Sequence, residues 1–260
     1  MNLNTSNDAG KKDKLSIIIP AYNEEDIIVK TLEAVEKTFS GIIDYEIVVV
    51  DDGSKDRTWG KAYSYAKNNP KVKLISKKGN GGKGNALKLG FLNSTGSLIL
   101  FMDADLELHP NQFFLFYDLM KLLNADGIVG SKRHPLSRVE YPFKRKVLSS
   151  MYNWMTRAMF GLKIMDTQVG LKLFKRDVLK DIVPRLLVKR YAFDVELLAV
   201  AVNRRFRIAE APVDLNYKRF SSRINLFSTW KFFVDTAAIF YRIKVLNYYD
   251  RVVLDESAAS

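Results

Sequence analysis

A doubly wound α/β domain, with a mostly parallel sheet flanked by helices and a C-terminal amphipathic helical extension, is the fold class this sequence predicts. Two observations lead to it. Through the first half of the chain, short β-branched runs alternate with stretches of helical periodicity, the pattern of strand–helix–strand units. Acidic, turn-rich clusters then follow three of those runs, at residues 20–24, 51–54 and 103–105, and open α/β sheets bind ligands at the carboxyl ends of their strands.

The elements follow in order. Leu15-Ser-Ile-Ile-Ile19 reads as a first buried strand. Asn23 is placed to cap the next helix, with Glu24, Glu25 and Asp26 near its positive end. Ile28, Leu32, Val35 and Phe39 then recur at helical spacing. Glu46-Ile-Val-Val-Val50 is a second strand, followed by a helix through Tyr65. Residues 72–75 and 98–102 are the third and fourth strands. Pro110 stands near the start of a helix over 111–123, and 127–129 is a fifth strand. The second half is less regular. It offers an amphipathic helix over 147–160 behind Lys144, Arg145 and Lys146, a strand over 170–174, a helix over 193–203 and an extended segment over 208–215. Residues 1–14 are polar and read as a disordered leader, 15–225 as one continuous domain, and 226–260 as an aromatic-rich amphipathic helix and tail.

Composition narrows the chemistry. The 260 residues, 47% of them hydrophobic, suffice for one good core. The sequence has no cysteine, which excludes disulfides, thiolate metal sites and a cysteine nucleophile, and fits a reducing interior. With two histidines, His109 and His134, a multi-histidine zinc site is nearly excluded, so a metal would sit on oxygen ligands. The net charge is +12, and it is concentrated: between Gly130 and Arg223 there are 21 Lys and Arg against 8 Asp and Glu. Such a segment suits a polyanion, a membrane surface or a phosphate. A nucleic-acid partner is disfavoured, because no zinc finger or RNA-reading aromatic motif accompanies the charge. No apolar run approaches the ~20 residues needed to span a bilayer.

Asp103 and Asp105, one residue apart beyond an apolar strand, share a side if the strand geometry continues. Hard divalent ions take such oxygen ligands, typically one or two carboxylates plus substrate phosphates. Glu107 keeps the same period and is a candidate third ligand. Asp51 and Asp52 end the second strand before Gly53, where an acid can accept hydrogen bonds from a base or ribose. The run Gly79-Asn-Gly-Gly-Lys-Gly84 is not a phosphate-binding loop of the Gly-Lys-Ser/Thr kind, and reads as a flexible loop over a ligand with Lys83 free to meet a charge.

Taken together, Ile19-Pro-Ala-Tyr-Asn-Glu-Glu25, Val50-Asp-Asp-Gly-Ser54, Lys83-Gly-Asn-Ala86 and Met102-Asp-Ala-Asp105 resemble the inverting, non-processive glycosyltransferases of family 2, whose fold is GT-A, a Rossmann-like mostly parallel sheet. Gly130-Ser-Lys-Arg133, Asp166-Thr-Gln-Val-Gly-Leu-Lys172, Tyr191-Ala-Phe-Asp-Val-Glu-Leu197 and Glu210-Ala-Pro-Val213 look like the polyprenyl-phosphate (dolichyl-phosphate) hexosyltransferases among them. The resemblance covers residues 15–230. It implies that Pro20, Ala21, Tyr22 and Glu24 line the nucleoside site, that Val50 and Asp52 contact base and ribose with Asp51 close by, and that Asp103, Asp105 and the Ala104 carbonyl hold the diphosphate and a Mg²⁺ or Mn²⁺ ion. Family mannosyl members commonly have Gln where this chain has Glu107, another oxygen ligand. Arg133, Arg219 and Arg223 match or lie near the family's basic positions for the acceptor phosphate.

The expected reaction is metal-dependent transfer of a hexose, from UDP-glucose or GDP-mannose, to a polyprenyl or dolichyl phosphate at the cytoplasmic face of a membrane. The acceptor is already ionised near neutral pH, so positioning and charge stabilisation matter more than a base. Asp166 is a candidate for orienting the sugar or the acceptor. A family 2 enzyme acting on a soluble glycan or protein acceptor is the alternative.

Overall fold

In the computed structural model, residues 13–138, 155–190, 192–215 and 226–251 are described, the side chains of 226–231 excepted. The strands are β1 (Lys14–Ala21), β2 (Asp44–Asp51), β3 (Val72–Ser76), β4 (Leu98–Phe101), β5 (Gly127–Ser131), β6 (Lys172–Lys175) and β7 (Ile208–Pro212). The helices are α1 (Ile28–Phe39), α2 (Thr58–Ala66), α3 (Lys83–Leu92), α4 (Gln112–Leu122), the described part of α5 (155–160), α6 (Arg176–Ile182), α7 (Phe193–Asn203), α8 (Leu226–Lys244) and α9 (Tyr248–Arg251).

The strands form one sheet in the order β3-β2-β1-β4-β6-β5-β7. β1 pairs in parallel with both β2 and β4, and β2 with β3. β6 runs antiparallel between β4 and β5, and β7 returns parallel to β5. The sheet is therefore mixed, as "mostly parallel" anticipates. With β2 on one side of β1 and β4 on the other, successive connections leave β1 in opposite directions, and their carboxyl ends open onto one crevice.

Alternation along the strands divides the core in two. Leu15, Ile17, Ile19, Ile47, Val49 and Leu100 face α1 and α4, where Phe39 meets Phe113 edge-on at 5.3 Å. Ile18, Val48, Val50, Ile99 and Phe101 face the other layer, built from α3, α5, α6, α7 and α8. Both faces are covered, so the strands read as near-continuous apolar runs.

Several expectations are corrected. Asn23 does not cap α1: it sits at φ 56°, four residues before the N-cap at Ile27. Residues 13 and 14 are not leader. Asp13 is buried, accepting bonds from Ser97 Oγ (2.8 Å) and the Tyr117 hydroxyl (3.2 Å), and Lys14 opens β1. The strand expected over 170–174 runs from Lys172 to Lys175. α3 and α6 were not anticipated. The sequence obscures α3 because it has two glycines and no single apolar face. The structure explains both: a Cβ on Gly84 would lie 2.5 Å from the Phe193 ring, and one on Gly90 2.3 Å from Ile18 Cγ2. The expected helix over 147–160 is described only in its last turns, and Lys144, Arg145 and Lys146 lie outside the described residues.

The C-terminal extension is part of the body of the protein. Thr236, Ile239 and Ile243 bury one side of α8, and Tyr249 of α9 is also buried. Val234, Ala237, Tyr241 and Val245 lie exposed on the other side.

Two predictions follow from this packing. Gly90→Val should destabilise the fold by about 1–3 kcal/mol through overpacking against β1. Gly60→Ala, on the open side of α2 where a Cβ meets nothing within 4 Å, should gain up to about 1 kcal/mol. Thermal melts of the two variants check the contrast. Burial pushes the Glu46 carboxyl up, but bonds from Ser16 Oγ (2.6 Å) and the Thr95 amide (2.5 Å) outweigh it and hold it below the ordinary 4.5. That stabilisation is complete above the unfolded value and is lost as pH falls through the lower folded one. The Tm advantage of wild type over Glu46→Gln should therefore be full near about pH 6.5 and shrink towards about pH 3.

Candidate active site

Three strand exits are stitched together at the crevice. After β1, the Asn23 amide donates to Ser54 Oγ (3.0 Å), the Lys55 amide donates to Asn23 Oδ1 (2.9 Å), and the Glu24 amide donates to Thr58 Oγ1 (2.7 Å). Tyr22 is exposed at the rim, and Pro20 and Glu24 are half-buried. Ala21 and Val50, expected at the nucleoside, have fully buried side chains because both point into the layers beneath the sheet.

Asp51 and Asp52 are buried at the exit of β2. The Ser54 amide donates to Asp51 at 3.3 Å. Asp52 accepts the amides of Gly81 (2.9 Å) and Gly82 (2.7 Å), one on each carboxylate oxygen, with Lys77 Nζ at 3.6 Å. Asp52 thus holds the glycine run in place. The run has to be glycine here: Gly82 adopts φ 93°, and a Cβ on it would sit 2.6 Å from the Lys189 carbonyl oxygen. The expected flexible loop is a pinned turn that delivers Lys83 as the first residue of α3.

Lys83 Nζ lies 2.6 Å from Asp103 Oδ1, beyond β4. On its other side, Asp103 abuts Gly170, where a Cβ would come within 2.1 Å of Oδ2. Burial works against ionising Asp103, but Lys83, then Lys172 and Lys132, outweigh it and hold the carboxyl below the usual range. Burial equally disfavours the Lys83 ammonium, and Asp103 and Asp194 more than restore it. Asp105 is left in the opposite position. Burial, with Asp103 beside it, pushes its carboxyl up to about 6, against the Glu107 amide donated at 3.0 Å. Glu107 itself pairs with Lys132 at 3.1 Å. The Ala104 carbonyl accepts the buried Thr31 hydroxyl at 2.6 Å, which engages it on the core side.

The 166–170 segment closes the cleft. The buried Asp166 carboxylate accepts the amides of Lys132 (3.1 Å) and Gln168 (3.2 Å), and burial raises its pKa. Glu210 accepts the amides of Met165 and Asp166 in turn. Beneath them, Lys172 and Asp194 form a buried ion pair at 2.7 Å. Asp103, Asp105, Glu107, Lys132, Gln168 and Gly170 share one small cleft. A larger open groove of about 1090 Å³ between α1 and α2 shares no lining residue with it. The groove's acids are spent internally, Glu36 on Tyr65 and Asn69, Asp56 on Thr58 and the Glu25 amide.

The donor set at the cleft fits a hard divalent ion: two half-buried carboxylates, one of them costly to ionise beside the other. Among the described residues no three His, Asp or Glu stand in reach of one ion. Of the expected set of Asp103, Ala104, Asp105 and Glu107, the Ala104 carbonyl carries the Thr31 hydroxyl on its core side, Glu107 is paired with Lys132 and Asp103 with Lys83. Arg133 is half-buried beside Lys132 on the same turn, whereas Arg219 and Arg223 lie outside the described residues. Sequence reasoning missed the Asp52 clamp, the Lys83–Asp103 contact and the Lys172–Asp194 pair. The clamp and the pair join residues at least 22 positions apart, so spacing held no signal of them.

Residues 16–183 match the Glycosyl transferase family 2 model. The chain belongs to that family. It is 34% identical over 253 residues to a dolichyl-phosphate beta-glucosyltransferase of Trichomonas vaginalis, covering 91% of this chain and 76% of the relative. It is 36% identical to the Dictyostelium discoideum enzyme of that name and 35% to the human one, covering 77% of this chain in each case and 65% and 67% of the relatives. Among solved structures, glucosyl-3-phosphoglycerate synthase from Mycobacterium tuberculosis, in complex with Mn²⁺, UDP-glucose and phosphoglyceric acid, superposes with a TM-score of 0.66 at 18% identity, over 94% of this chain and 82% of that one. The fold of this family 2 glycosyltransferase is therefore GT-A.

Asp52→Ala should free the glycine run. Amide exchange at Gly81 and Gly82 should accelerate, and the two unsatisfied donors should cost about 1–3 kcal/mol of stability. Hydrogen exchange with mass spectrometry and a thermal melt check both.

Proposed function

We propose that this family 2 glycosyltransferase moves glucose from UDP-glucose to dolichyl phosphate, or a similar polyprenyl phosphate, with inversion at the anomeric carbon. The observation that carries the proposal is the Asp103–Asp105–Lys83 cluster at the strand carboxyl ends, in a chain whose relatives are named dolichyl-phosphate beta-glucosyltransferases. Those relatives favour glucose over the mannose that the sequence left open.

The step is a single in-line displacement. A lone pair on an acceptor phosphate oxygen forms the new bond to the anomeric carbon as the bond to the UDP oxygen breaks. The acceptor is already anionic, so none of the cleft acids has to remove a proton. Asp103 and Asp105 would hold a Mg²⁺ or Mn²⁺ ion, which when bound supplies Lewis-acid neutralisation of the leaving diphosphate. Lys83 faces the same charge. Tyr22, Glu24 and Asp51 line the nucleoside side, and Asp52 acts through the glycine turn it holds. Asp166 positions rather than reacts, because both its oxygens already order the 132–133 and 166–168 turns. Arg133, with Arg219 and Arg223, receives the acceptor phosphate, for which guanidinium groups offer paired donors.

We place the protein peripherally, on the cytoplasmic face of a membrane. No helix among the described residues is long and apolar enough to cross one. The exposed Val234, Ala237 and Tyr241 of α8, with Lys244 and Val245 beside them, suit an interfacial position, and the absence of cysteine suits a reducing compartment.

The test is transfer of radiolabelled sugar to a short polyprenyl phosphate, with UDP-glucose and GDP-mannose in parallel and with Mn²⁺, Mg²⁺ or chelator. Glucose label should enter the lipid phase only with metal, and Asp105→Asn should lower kcat by about 100-fold or more. Metal-dependent UDP release without lipid product would overturn the acceptor, and full activity of Asp105→Asn the metal site.

A further inference from the structure

We infer that in the donor-free protein Lys83 stands in the cation's place on Asp103, so that the divalent ion and the nucleotide diphosphate each make room for the other. The inference rests on the proposed roles of Asp103 and Asp105 as the ion's holders and goes beyond them to the order of events. The nucleotide draws the ammonium onto its phosphates, and the ion takes the carboxylate that the ammonium leaves.

The geometry carries this in three parts. First, the contact is direct, at 2.6 Å, and the other carboxylate oxygen of Asp103 sits where a Cβ on Gly170 would be, so the room on that flank is only what the glycine leaves. Second, the backbone under Lys83 is fixed. Asp52 holds the amides of Gly81 and Gly82, the Asn85 amide donates to the Lys189 carbonyl at 3.2 Å, and Gly84 packs on the Phe193 ring. What remains able to move is the four-carbon stem of the lysine, which can carry its charge from Asp103 to a neighbouring anion without moving that backbone. Third, the neighbouring lysines are committed elsewhere: Lys132 to Glu107 at 3.1 Å and Lys172 to Asp194 at 2.7 Å. Lys83 is thus the cation that the ion must displace. Asp105, which among the described residues forms no ion pair, is the carboxylate left waiting beside it.

An ammonium and a divalent ion on one carboxylate repel strongly at this range. The ion alone must therefore work against Lys83. A diphosphate relieves the conflict by offering the lysine another anion. By linkage, the factor by which nucleotide tightens the ion is the factor by which the ion tightens nucleotide.

The experiment is Mn²⁺ binding by the full chain, read from the electron paramagnetic resonance signal of free Mn²⁺, with and without UDP. Wild type should bind Mn²⁺ weakly alone and more tightly with UDP. Lys83→Met should bind Mn²⁺ alone at least about ten-fold more tightly than wild type, and the tightening by UDP should shrink by a similar factor. Lys83→Gln gives the same reading in a second side chain, should the methionine variant not fold. Lys132→Met removes an equal charge from the same cleft without vacating Asp103, and should gain less than about three-fold. The inference is overturned if both Lys83 variants bind Mn²⁺ alone no more tightly than wild type, or if Lys132→Met gains as much as they do. In either case, UDP-dependent Mn²⁺ binding by wild type leaves the donor-site proposal standing. No Mn²⁺ binding by wild type even with UDP brings both down.

Discussion

Two carboxylates at the end of a buried strand must be compensated, and much of this molecule is arranged around that requirement. Asp103 and Asp105 leave β4 half-buried, and burial with Asp103 beside it makes Asp105 costly to ionise. Lys83 supplies the counter-charge, but a lysine is useful there only if its backbone is held. That task falls to Asp52, from a different strand, through two glycine amides. Asp52 is affordable as a buried carboxylate because those amides and Lys77 satisfy it. The conspicuous acids of the crevice are therefore used differently: Asp103 and Asp105 line the cleft, and Asp52 and Asp166 organise the turns around it.

The same economy explains the mixed sheet. β6 runs antiparallel between β4 and β5, so Lys172 enters the sheet opposite Phe101, directly below the acids, and pairs with Asp194 from α7. The charges alternate from Asp105 and Asp103 through Lys83 to Asp194 and Lys172, and the Lys83 charge owes its stability to aspartates on both sides of it. An alternating cluster of this kind tolerates burial that no member would tolerate alone.

The C-terminal helices belong to this framework. Glu196 of α7 is fully buried and accepts the amides of Leu187 and Val188, the Tyr249 hydroxyl at 2.5 Å and Arg242 at 3.4 Å. The next residue of that turn, Lys189, backs the glycine run at Gly82. The helix proposed to meet the membrane and the turn that delivers Lys83 are thus fastened to the same segment. Arg242 of α8 is turned inward to Glu196.

What the sequence determined by itself is the part written in short range. The apolar runs of β1 and β2 and the helical spacing of Ile28, Leu32, Val35 and Phe39 in α1 are properties of neighbours, and those elements stand where the pattern put them. So do the acid clusters, because a cluster that follows a strand lies at the strand's end. The tertiary structure alone decided which acids are free to act. Nothing near Asp52 in sequence says that its partners are Gly81 and Gly82, nor does anything near Ala104 announce Thr31, 73 residues away. α3 was hidden for the same reason: its glycines lower helix propensity, and only their contacts with Ile18 and Phe193 explain why they are there. Local pattern reports which face of an element is buried. The partner of a charge is set by whichever distant backbone the fold brings against it.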